Sequence, residues 1–105
     1  MIDIIIVMTA TRTKKDAEKI AALLLEKRMV ACVQMFPIES MQFTEGKTKK
    51  SKEYLCMMKT KDYMFSRIRK KIEDIHPYGT PEIVAVQAVK FSEAYLAWVN
   101  SEVRE

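Results

Sequence analysis

From Ile2 to Thr9 the chain reads IDIIIVMT, almost wholly β-branched or long and apolar. Such a run suits a strand buried on both faces, where neither side of the pleat meets water. A strand of this kind cannot stand at a surface, so the rest of the chain, or another copy of it, must supply a layer on each side. With 105 residues the chain is long enough to bury over about 60% of its unfolded surface and too short for two cores. One domain spanning residues 1–105 is expected.

The remaining segments alternate in period. Thr13, with Asp16 three residues on, has the form of a helix N-cap with an acidic first turn, and Ala17, Ile20, Ala21 and Leu24 make one apolar stripe at spacings of three and four. This first helix should close near Arg28. Met29 to Phe36 is expected as a second strand ended by Pro37, and Glu53 to Lys59 as a third. Glu45 and Gly46 turn the chain between them, in a long hairpin with a ragged basic loop. Lys61 and Asp62 then open a helix in which Phe65, Ile68, Ile72 and Ile75 recur at three, four and three.

That helix ends in HPYGTPEI, His76 to Ile83. Pro77 cannot donate to the helical ladder and biases His76 out of helical geometry. Gly79 permits a positive φ, and Pro81 drives Thr80 toward an extended conformation. Pro77 and Pro81 thus have a structural role, stopping a helix and launching a strand over Glu82 to Val89. A last helix begins near Ser92, with Leu96, Val99 and Val103 inward and Tyr95 and the structural Trp98 beside them.

The order βαββαβ plus a C-terminal helix is that of the α+β, ferredoxin-like split βαβ fold, with both long helices on one face of a four-stranded antiparallel sheet. The other face remains apolar, because Ile4 and Ile6 lie opposite Ile5 and Val7, and Ile83 and Ala85 oppose Val84 and Val86. A face of that character marks an interface. The terminal helix is expected to cover part of it and a neighbouring subunit the rest.

A ferredoxin-like fold fixes no function, so the residues must decide among its uses. The net charge is +4, carried by KTKKSK (Lys47 to Lys52) and RIRKK (Arg67 to Lys71). However, EYLCMMK has one tyrosine and no glycine, and the first strand carries none of the aromatics that stack bases in an RNA-recognition sheet, which argues against sequence-specific nucleic-acid binding. The loop TATRTKKD has neither the CxxC of a copper chaperone nor a glycine-rich phosphate cradle, and no nucleophile and base pair is visible, so no enzymatic activity is expected. Met57 and Met58 are adjacent and point to opposite faces of a strand, the arrangement of core filler. Cys32 and Cys56 stand apart in apolar surroundings as reduced thiols. The longest early apolar run is too short for a membrane span and lacks signal-peptide flanks, so no membrane partner and a cytoplasmic location are expected.

ACVQ (Ala31 to Gln34), EGK (Glu45 to Lys47), KT (Lys59, Thr60), HPYGTPEI and YLAWV (Tyr95 to Val99) together resemble the CutA family of divalent-cation tolerance proteins over almost the whole chain. HPYxxPEI followed by YLxW is the specific part. The resemblance implies a homotrimer with sheets packed edge to edge about a threefold axis, as in the nitrogen-regulatory PII proteins, and a role in tolerance of copper or another divalent cation. His76 and Glu82 match positions implicated in metal binding. The same resemblance leaves a second reading, a PII-like signalling or scaffold trimer whose inter-subunit cleft, with Lys59 and Tyr78, takes a small anionic ligand or a protein partner. The chain departs from the family where Gln42 and Thr44 replace a common tyrosine and tryptophan, where Gln34 replaces an asparagine, where Gly79 often has an acidic or amide counterpart, and where a family cysteine has no match.

Overall fold

In the computed structural model, which describes residues 3–104, the chain forms β1 (Ile4–Thr11), α1 (Lys14–Glu26), β2 (Cys32–Thr44), β3 (Lys47–Lys61), α2 (Phe65–Ile75), β4 (Val84–Gln87) and α3 (Glu93–Glu102). The strands lie in the order β2-β3-β1-β4, and every neighbouring pair is antiparallel. This is the ferredoxin-like α+β arrangement expected from the periodicity.

Local chemistry explains the helix starts. Thr13 Oγ1 accepts the Asp16 amide at 3.1 Å, and Ser92 Oγ accepts the Tyr95 amide at 3.1 Å, each satisfying a donor that the first helical turn leaves unpaired. All four stripe residues of α1, Ala17, Ile20, Ala21 and Leu24, are buried, as are Ile68 and Ile72 of α2. They pack over the sheet face that carries Val7 and its cross-strand partner Met58, both fully buried.

The strands depart from expectation at their ends. The hairpin loop is not ragged, because β2 and β3 stay paired from Cys32–Lys59 to Thr44–Lys47. Glu45 (φ 53°) and Gly46 (φ 77°) make the turn alone. Two successive left-handed residues match the twist of the flanking strands, as in a type I′ hairpin. Pro37 does not end β2. It sits inside it, because β2 is an edge strand whose outer side needs no amide donor. The fourth strand shortens to Val84–Gln87, and the left-handed glycine is Gly46, not Gly79. β1 extends to Thr11, and the part of its expected range at Ile2 falls outside the described residues.

α3 docks at one end of the sheet. Arg28, itself at φ 59°, donates through Nε to the Glu102 carbonyl at 2.8 Å and through Nη2 to that of Ser101 at 3.1 Å. The Arg104 amide returns to Arg28 O at 2.8 Å. These bonds satisfy carbonyls that the end of α3 leaves open. Tyr95 then stands 3.7 Å from Cys32 Sγ, on the face away from α1 and α2, so α3 covers that corner as anticipated. Further along, Val84, Val86 and Phe36 remain 45%, 43% and 40% exposed. No helix among the described residues is long and apolar enough to cross a membrane.

Candidate functional site

Pro77 acts as the sequence requires: α2 stops at Ile75, and His76 is extended at φ −73°, ψ 135°. The consequence for His76 was not legible. Its ring is buried, with Nε2 at 2.8 Å from the Ala10 carbonyl and Nδ1 accepting the Tyr78 amide at 3.1 Å. Because a carbonyl can only accept, Nε2 carries the proton and the ring is the neutral tautomer with both nitrogens in use. His76 therefore ties the end of β1 to the loop that follows α2. As a candidate metal ligand it has no free nitrogen in this arrangement. Glu82 is exposed, and among the described residues no group of three or more His, Cys, Asp or Glu side chains could hold a metal ion.

Tyr78 is the centre of a second network. Its hydroxyl donates to Glu53 Oε2 at 2.7 Å, while Ser40 Oγ donates to Glu53 Oε1 at 2.6 Å. Glu53 is only 6% exposed, so these donors replace the water a carboxylate would otherwise hold. Arg12 lies over the Tyr78 ring with Cζ 5.8 Å from the centroid. Burial, followed by the hydrogen bond and negative charge of Glu53, pushes the Tyr78 hydroxyl up to about 12 against the opposing pull of Arg12.

Within one protomer Lys59 and Tyr78 line different cavities. Lys59 Nζ donates to Gln34 Oε1 and lines a cavity of about 470 Å³ with Ile6, Lys90, Phe91 and Tyr95. Tyr78 instead borders two cavities of about 270 and 770 Å³ that share Arg12 and Thr44. The reason is register: Lys59 pairs with Ile6 in the middle of β1, whereas Glu53, which anchors Tyr78, lies beyond the Tyr54–Thr11 pair at its end. Trp98 is 42% exposed and packs on Tyr95 at 5.6 Å between centroids, so it braces α3 from outside the core. Burial, then the contact with Cys32, pushes the Tyr95 hydroxyl up to about 12. Cys56 is fully buried, which pushes its thiol up to about 11.

Sequence reasoning passed over Arg12, Ser40 and Glu53. The signal for Glu53 was present: it is the single acid in KTKKSKEYLCMMK, at the point where the strand changes from basic to apolar. An acid at such a boundary is buried only if donors reach it.

Residues 5–102 match the family model described as CutA1 divalent ion tolerance protein. A divalent-cation tolerance protein CutA of Archaeoglobus fulgidus is 36% identical over 89 residues, covering 85% of this chain and 87% of the relative. The solved structure of a periplasmic divalent cation tolerance protein CutA from the same organism superposes with a TM-score of 0.94 at 32% identity, covering 96% of this chain and 99% of that one. CutA1 from Oryza sativa superposes at 0.95 with 27% identity, covering 99% and 96%.

Proposed function

Because the chain belongs to the CutA1 divalent ion tolerance family, we propose that it is a homotrimer of divalent-cation tolerance that binds copper or another divalent cation and performs no catalysis. The observation that carries the assembly is the open sheet face. Val84, Val86 and Phe36 stay substantially exposed there, with the partly buried Ile6, Met8 and Met57 between them. A contiguous apolar surface of this kind supports burial against further copies. The long outer edge of β2 supports it too, since its unpaired amides and carbonyls can continue a sheet.

For the cation, the available donors are the exposed carboxylate of Glu82 and the imidazole of His76. His76 would have to release the Tyr78 amide to offer Nδ1. One such pair per protomer makes a weak site unless assembly brings several together. Imidazole with carboxylate suits Cu(II) among the divalent ions. Titrating copper into the assembled wild type, His76→Ala and Glu82→Gln tests this. Equal binding by all three folded proteins would remove the metal assignment from these residues.

A second reading, a signalling or scaffold protein that takes a small anion or a protein partner, is favoured by Tyr78. Its ring and Arg12 stand at a basic cavity, and that cavity does not depend on metal.

A further inference from the structure

We infer that the cavity between the β2–β3 hairpin and the loop after α2 is a binding site for a small phosphate-bearing anion. This inference rests on the second reading above and names its ligand class. The cavity measures about 270 Å³, a size for a compact anion and not for a polymer groove.

Its charge is one-sided. Arg12, Lys49 and Lys50 border it, and the only carboxylate among its walls is Glu53. Both Glu53 oxygens already accept, from Ser40 and Tyr78, and the side chain is almost wholly buried, so its one negative charge is partly compensated and is outweighed by three cations. Lys49 does contact Glu45 at 2.8 Å, but both groups of that pair are exposed, and an exposed pair is weakly held and readily exchanged for a bound anion. Basic side chains gathered in one concavity focus the field inside it and raise the local concentration of anions.

The donors are also arranged on one side. Period two puts Lys49, Ser51 and Glu53 on a single face of β3. Gln42 is the cross-strand partner of Lys49, and Thr44 lies two residues beyond it on the same face. Arg12 lies over the Tyr78 ring, a cation–π contact that brings its planar guanidinium to the wall. A guanidinium, an ammonium, two hydroxyls and an amide thus line one concavity. A tetrahedral phosphate spreads its acceptor oxygens over more directions than a single planar carboxylate and can engage more of these donors at once.

The test is calorimetric titration of the full chain with pyrophosphate at low salt, with citrate and a thymidine decanucleotide as comparators. Wild type should bind pyrophosphate at one site per protomer. Arg12→Gln and Lys49→Gln should each weaken it about tenfold, the loss of one charge-assisted hydrogen bond. Thr44→Trp should abolish binding by filling the cavity, while Lys70→Gln on the distant α2 should change nothing. Circular dichroism confirms the fold of each variant, and the two glutamine substitutions at exposed positions decide the matter if Thr44→Trp does not fold. No binding of any anion would overturn this site and the small-anion form of the second reading. Citrate binding more tightly than pyrophosphate would keep that reading and overturn the phosphate class. Equal weakening by Lys70→Gln, or tight decanucleotide binding insensitive to Thr44→Trp, would assign the anion to diffuse surface charge and overturn the site.

Discussion

The Tyr78 hydroxyl donates to Oε2 of Glu53 across 2.7 Å, joining the loop after α2 to β3, which meet nowhere near one another in sequence. Ser40 reaches the other oxygen from β2, so one buried carboxylate gathers three segments. Removing one donor leaves an underpaired buried charge. Tyr78→Phe should therefore cost about 1.5–3 kcal/mol, the range for hydrogen bonds to charged groups. Urea unfolding measures it, and a double-mutant cycle with Glu53→Gln should show non-additivity. Additive losses would mean that the two residues do not share this bond.

Alkaline pH should weaken the fold for a stated reason. The Tyr78 and Tyr95 hydroxyls are raised from 10.0 to about 12, and the Cys56 thiol from 9.0 to about 11. Each group holds its proton more tightly when folded. Its contribution is complete below the unfolded value and lost as pH rises through the folded one. Stability should hold up to about pH 9 and then decline through the window ending near 12. Thermal melts across this range should show a shallower decline for Tyr78→Phe and Cys56→Ala, and unchanged slopes would remove these groups as the cause.

His76→Ala should destabilise the protein, contrary to what a loop histidine suggests. The substitution strands the Ala10 carbonyl and the Tyr78 amide, the two partners of the ring. An unsatisfied buried group costs about 1–3 kcal/mol. Chemical denaturation that found no loss would show that water replaces the imidazole freely.

The proposed assembly rests on the open sheet face. Light scattering should give about three times the 12.2 kDa chain mass, and a monomer at micromolar concentration would defeat the proposed trimer. Val84→Asp should cost several kcal/mol of assembly, because it places an unpaired charge in the contact. Full-sized particles from that variant would move the interface elsewhere.

The sequence alone determined the order of elements, the Thr13 cap, the start of the last helix near Ser92, the buried stripe of α1 and the stop at Pro77. Each of these depends on residues within one or two turns of chain, where period and backbone chemistry act locally. It also carried the family resemblance, since HPYGTPEI and YLAWV are contiguous. Tertiary structure decided the rest. Pro37 could remain in a strand only because β2 is at the sheet edge. His76 became a buried strut only because β1 brought the Ala10 carbonyl beside it. Within the protomer, Lys59 and Tyr78 were separated, and Tyr78 joined to Glu53 and Arg12, by the pairing of β1 with β3. Strand order and register are set by the packing of distant segments against one another, and no local period records which side chains that packing will bring together.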